Sequence, residues 1–251
     1  MLPSVCNISQ ANDSLCRVYA HICRNEGDYL IDSLLMQYAP CKIDKKQLEN
    51  KQVQITVMEP LEDLENLFKF DHGNNLNIFA MFQQMAAGVA ALHTHNIVHG
   101  DVSLHNFMLR KKANDNTFSL VLIDFEYTRH VVHSEFNNYT GTSFYTPPFD
   151  GKNTMATDIY ALGMTMARLY KHLVTGDAYA FEITNSLMET LAEHDAMVEW
   201  LSKPFVATQN TIKNKSPWKQ PKLYSYVAEK HHCKMKFLLE MIQYDSNARP
   251  S

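Results

Sequence analysis

Asp101, an asparagine five residues later at position 106, and a second aspartate at position 124 are the residues of this chain whose spacing suggests chemistry. They lie in Val98-His99-Gly100-Asp101-Val102-Ser103-Leu104-His105-Asn106 and in Leu122-Ile123-Asp124-Phe125-Glu126. A carboxylate beside a hydroxyl can orient it and accept its proton, which makes Asp101 a candidate general base. Mg²⁺ prefers hard oxygen ligands and takes only a few from protein, so Asn106 and Asp124 are candidate metal ligands. A base near an attacking hydroxyl, with an amide and a carboxylate to hold Mg²⁺ against phosphates, is the set that phosphoryl transfer uses.

The surrounding pattern predicts elements that could hold these side chains. Residues 75–95 carry Ile78, Phe79, Phe82, Met85, Val89 and Leu92 at i, i+3, i+4 steps, the spacing of a buried helix. Phe107–Leu109 and Leu120–Ile123 flank the polar Ala113-Asn114-Asp115-Asn116, which predicts a hairpin. Leu34–Tyr38 and Gln52–Met58 read as strands, the second broken by Glu59-Pro60. Leu15, Val18, Tyr19 and Ile22 fall at helical spacing and predict a short amphipathic helix over 13–24. The chain looks helical after Asp158. The order is a small strand-containing part followed by a large helical one, an α+β organisation.

Composition narrows the function classes. The 251 residues are 45% apolar and 20% charged, as in ordinary globular domains. A net charge of −4 argues against an extended nucleic-acid surface. No apolar run approaches the roughly 20 residues of a membrane helix, and residues 1–10 show no signal-peptide pattern. Cys6, Cys16, Cys23, Cys41 and Cys233 lack metal-site spacing and read as reduced thiols of an intracellular, cytoplasmic-type compartment.

The two quoted stretches resemble the eukaryotic-type protein kinase family, whose catalytic loop reads His-Arg-Asp-x-x-x-x-Asn and whose metal motif reads Asp-Phe-Gly. Gly141-Thr142-Ser143-Phe144-Tyr145-Thr146-Pro147-Pro148 is similar to the family's Gly-Thr-x-x-Tyr-x-x-Pro-Glu. Asp158-Ile159-Tyr160-Ala161-Leu162-Gly163 is similar to its Asp-x-x-x-x-Gly. The resemblance implies a kinase fold using ATP and Mg²⁺, with a protein hydroxyl as acceptor and Thr142 in the substrate-seating segment favouring Ser/Thr. It implies a reduced small lobe over residues 1–58 (a regulatory helix plus strands), a hinge at 59–61 and a helical large lobe over 62–251. Met58, Glu59 and Leu61 would then edge the adenine, and Met108 would lie beneath it. His99, Phe125, Asp158 and Arg249 would be structural, Asp158 by holding the catalytic-loop backbone and Arg249 by pairing with an acid.

Several letters depart from the family pattern. Gly100 replaces the arginine on which a phosphorylated activation segment docks, so switching by that route is not expected. Ser103 stands where Ser/Thr kinases carry a lysine facing the γ-phosphate, and a hydroxyl cannot neutralise that charge. Glu126 replaces the motif glycine. Phe149 replaces the acid that pairs with the arginine, with Asp150 one position late. No Gly-x-Gly-x-x-Gly and no Val-Ala-x-Lys occurs in these 251 residues, so the small lobe reads as truncated. Each lost charge-stabilising donor costs about 10²–10³ in rate.

Three functions follow from the resemblance. One is a Ser/Thr protein kinase whose activity is weak or lost. The second is a pseudokinase or decoy that binds a partner kinase or its substrate. The third is a small-molecule kinase: His99-Gly100-Asp101 is similar to aminoglycoside-phosphotransferase-like proteins, and Ile123-Asp124-Phe125-Glu126-Tyr127 to choline and ethanolamine kinases. Against the third stand Gly141–Pro148, Asp158–Gly163 and Asp245–Pro250, which follow the protein-kinase pattern.

Overall fold

The computed structural model describes residues 12–23, 54–64, 77–112, 117–131, 145–147, 153–175, 187–203 and 232–250. Strands β1 (Val18–Cys23) and β2 (Gln54–Met58) form an antiparallel pair. Strand β3 (Glu62–Asp63) follows closely and joins β5 (Phe107–Lys111) and β6 (Phe118–Leu122) in a three-stranded sheet of order β3-β5-β6. A third, two-stranded ladder pairs β4 (Ile97–Val98) with β7 (Arg129–His130).

Helix α1 (Ile78–His93) buries Ile78, Phe82, Met85, Val89 and Leu92 of the stripe its spacing predicts, with Phe79 half-buried and Met81 buried in addition. Asn77 caps it, its side chain accepting from Ala80 N at 3.2 Å. After the helix, Asn96 takes a left-handed φ of 57°, a conformation that asparagine tolerates better than most residues. The chain then turns into β4. Helix α2 (Met155–Thr175) runs through the core and is buried along most of its described length. Its first turn is closed reciprocally: Thr154 N donates to Thr157 Oγ1 at 2.8 Å, and Thr157 N to Thr154 Oγ1 at 3.2 Å. Helices α3 (Leu187–Ser202) and α4 (Phe237–Met241) pack beside it.

The helix expected over 13–24 is not formed. Asn12 Oδ1 accepts from Ser14 N at 2.8 Å, making a tight turn, and the chain enters β1. The apolar residues of this run fit a period of 3.6, but β2 supplies a hydrogen-bonding partner that overrides this local pattern. The expected regulatory helix is therefore replaced by a strand over 18–23. Just before it, Cys16 N donates to Leu122 O at 2.8 Å and Leu122 N to Ser14 O at 3.0 Å. Leu15 and Cys16 are fully buried in the core that α1 and β6 share with α2, so this stretch of the 1–58 region packs into the large part. Leu34–Tyr38 and the Ala113–Asn116 turn lie outside the described residues.

Candidate active site

The catalytic-loop candidate is built around a buried carboxylate. Asp158, on the first turn of α2, accepts from His99 N at 2.7 Å and from Gly100 N at 2.9 Å. Its Oδ2 also lies 2.9 Å from His93 Nε2 at the end of α1. One side chain thus ties α1, α2 and the loop after β4 together, and it satisfies two backbone donors that burial would otherwise orphan.

His99 spans the two motifs. Its Nδ1 accepts from Asp101 N at 3.2 Å, which leaves the proton on Nε2, and Nε2 sits 2.9 Å from Ile123 O. Its ring meets Phe125 edge-on at 5.7 Å. The residue before Asp124 is therefore held directly by the residue two before Asp101. Asn106 adds a second tie: Nδ2 donates to Asp101 O at 2.7 Å and to Asp101 Oδ2 at 3.0 Å, and Ile123 N donates to Asn106 O at 2.9 Å. The short helical turn Leu104–Asn106 makes this reach possible by folding the asparagine back onto the aspartate.

Asp124 is exposed and sits at φ 61°, a left-handed conformation that costs a non-glycine residue about 1–3 kcal/mol. Its Oδ1 accepts from Glu126 N at 3.3 Å. With Asn106 Nδ2 committed to Asp101, its Oδ1 is the oxygen available to a cation. One carboxylate and one amide oxygen are a donor set that suits Mg²⁺, which keeps most of its ligands as water and phosphate oxygens. Among the described residues no group of three His, Cys, Asp or Glu side chains could hold a metal, so a closed all-protein site of the zinc type is not seen there. Ser103 is buried at the start of the Leu104–Asn106 turn, and its carbonyl accepts from Asn106 N at 3.1 Å.

Tyr145 is buried behind the loop. Arg168 Nη1 lies 3.4 Å from its hydroxyl, and the guanidinium carbon lies 5.4 Å from the ring centre. Burial pushes the phenol above its ordinary value, against the lowering influence of Arg168, so it stays protonated at neutral pH. Thr142 lies outside the described residues. Arg249 is buried and donates to the carbonyls of Gln243 at 2.7 Å, Ala156 at 3.0 Å and Tyr244 at 3.0 Å. Phe149 and Asp150 lie outside the described residues.

At the expected hinge, Met58 is exposed, Glu59 is buried, and Leu61 and Met108 are half-buried. Glu59 N donates to Arg17 O at 3.1 Å. The Glu59 carboxylate accepts from Arg17 N at 2.6 Å and from Arg110 Nε at 2.7 Å, and it also binds Arg110 Nη2. Sequence reading missed Arg110. The signal was a lone arginine two residues after Met108 in an apolar strand, on the same face of β5. Burial works against both charges, yet the mutual hydrogen bonds and attraction hold Glu59 below and Arg110 above their ordinary values. A carboxylate depressed on folding contributes its full stabilisation above the unfolded value of 4.5 and loses it as pH falls through the lower folded value. Glu59→Gln is therefore expected to be less stable than the wild type at pH 7. It is also expected to lose less stability than the wild type on acidification below that value, as read by urea denaturation across pH.

A family model described as the protein kinase domain matches residues 42–251, most of the chain. The chain belongs to the protein kinase family. It is 32% identical over 83 residues to the MAP kinase kinase skh1/pek1 of Schizosaccharomyces pombe, covering 32% of this chain and 22% of that one. It is 34% identical over 109 residues to the serine/threonine-protein kinase SAPK1 of Oryza sativa subsp. japonica, covering 40% of this chain and 29% of that one. The mitogen-activated protein kinase pmk-1 of Caenorhabditis elegans matches more of it, 23% identical over 195 residues, with 75% of this chain and 50% of that protein covered. The chain thus spans half or less of the length of these relatives. In fold it is similar to a chain of the yeast RNA Pol II CTD kinase CTDK-1 complex, with a TM-score of 0.56 and 16% identity over 99% of this chain and 77% of that one. Family membership and fold neighbour together establish the α+β kinase-like fold. Among the described residues no helix is long and apolar enough to cross a membrane.

Proposed function

We propose that this chain carries the catalytic half of an ATP- and Mg²⁺-dependent Ser/Thr protein kinase. Asp101 orients the acceptor hydroxyl and takes its proton, and Asn106 and Asp124 turn oxygens to Mg²⁺. The observation that carries the reading is the double tie between the motifs. His99 joins Asp101 N to Ile123 O, and Asn106 joins Asp101 to Ile123 N, so the base and the Mg²⁺ carboxylate share one rigid frame. Such preorganisation is what phosphoryl transfer asks of a protein. Met58–Leu61 is the hinge between a smaller part up to residue 58 and the larger part after it. The adenine lies against that segment and on Met108. When bound, Mg²⁺ supplies charge neutralisation at the phosphates.

Ser103 favours a second reading. A buried hydroxyl supplies no cation at a position where the family uses lysine, so turnover is slow and binding of a protein partner becomes the chain's main work. The acceptor class is separated by one assay. Phosphate incorporation from Mg²⁺-ATP into a generic basic protein, but not into choline, is expected, and Asp124→Ala lowers it by about 10² or more. Nucleotide binding without incorporation points to the partner-binding reading. Transfer to choline alone overturns both.

A further inference from the structure

The chain crosses between the β1–β2 pair and the large core twice in the described residues, at 15–18 and at 58–61, and a single guanidinium holds both crossings. Arg110 Nη1 donates to Asp13 O at 2.5 Å and Nη2 to Leu15 O at 2.8 Å. Its Nε and Nη2 grip the Glu59 carboxylate side-on, with Nε at 2.7 Å. The two crossings are also joined to each other by Arg17 N on Glu59 and Glu59 N on Arg17 O. Arg17 Nη2 and Asp13 Oδ1, 2.9 Å apart, close the outer side. Arg110 lies on β5, whose Leu109 and Met108 pair with Glu62 and Asp63 immediately after the second crossing. Met108 and Arg110 share one face of that strand.

We propose that Arg110 is a positioning residue for nucleotide binding: it locks both crossings to β5 and so sets the 58–61 backbone at a fixed height above Met108. This rests on the nucleotide reading given above. The geometry needs arginine, because a planar fork is what serves a carboxylate side-on and two carbonyls at once. Lysine keeps the charge but presents three donors from one point and cannot span these acceptors.

The full chain tests this with N-methylanthraniloyl-ATP and Mg²⁺ as the fluorescent probe and with hydrogen–deuterium exchange. The variants are Arg110→Lys, which keeps charge and loses the fork, and Arg110→Met with Glu59→Met, which removes both charges and leaves no buried ion alone. Both are expected to bind the probe about tenfold more weakly, as small misplacements of a positioning segment do. Amides at 15–18, 59 and 61–63 are expected to exchange faster, while those of α2 do not change. Wild-type affinity in both variants overturns the positioning role and leaves the nucleotide reading standing. Unchanged exchange at both crossings also overturns it. Failure of the wild-type chain to bind the probe overturns the nucleotide reading, and with it the role given to Arg110, whatever the exchange data show.

Discussion

Asp158→Ala is expected to destabilise the chain by about 3–5 kcal/mol and to remove whatever phosphotransfer the wild type has. The carboxylate is 2% exposed, so water does not replace it when it is lost. Three donors lose their acceptor: His99 N, Gly100 N and the His93 ring. Each unsatisfied buried donor costs about 1–3 kcal/mol, and a typical domain has only about 5–15 kcal/mol to lose. Asp158→Asn keeps the volume and one acceptor oxygen, but its amide group sets a donor against a donor, so it recovers only part of the loss. The measurement is urea denaturation followed by far-UV circular dichroism, with phosphate incorporation assayed in parallel. The loss should be sharpest in the catalytic loop, because His99 and Gly100 are the residues that aim Asp101. A variant with wild-type stability would show that the loop is held by something other than this carboxylate.

The site was more legible in the sequence than the contacts that carry it. Asp101, Asn106 and Asp124 stand out by their spacing, and the structure ties the loop that carries the first two to Ile123, the residue before the third. Helix α1 was legible for a similar reason, since its six apolar positions fit one period and no other. The 18–23 segment was not, because Val18, Tyr19 and Ile22 fall at helical spacing and the pairing with β2 that overrides it is not local. Arg110 and Glu59 lie 51 residues apart, and nothing local to either announces the other. Arg249 is a different case: among the described residues its guanidinium donates to three backbone carbonyls, contacts that leave no trace in residue types.

Gly100→Arg, which restores the family letter, is expected to damage this protein. Sequence comparison makes Gly100 look like a missing arginine, but the structure gives it a reason of its own. Its φ is +82°, a region that residues bearing a Cβ rarely adopt. A Cβ built there would lie 2.9 Å from Tyr127 O and 3.0 Å from Asn153 Nδ2, and the first of these is backbone that cannot swing aside. Tyr127 is brought there by its neighbours. Thr128 N donates to Phe125 O at 3.3 Å, closing a turn over Glu126 and Tyr127, and β7 then pairs with β4, which ends just before the catalytic loop. The glutamate that replaces the motif glycine and the glycine that replaces the arginine thus sit on facing segments, and the turn carrying one leans on the backbone of the other. Gly100→Ala isolates the Cβ from the guanidinium. Both variants are expected to lose about 2–4 kcal/mol, from backbone strain and overpacking together, and to lose it in similar measure. Thermal denaturation reads the comparison. Equal losses assign the effect to the Cβ. A Gly100→Arg protein that melts higher than the wild type, or transfers phosphate faster, would mean that the loop can adopt the family's conformation and that this glycine is only a deletion.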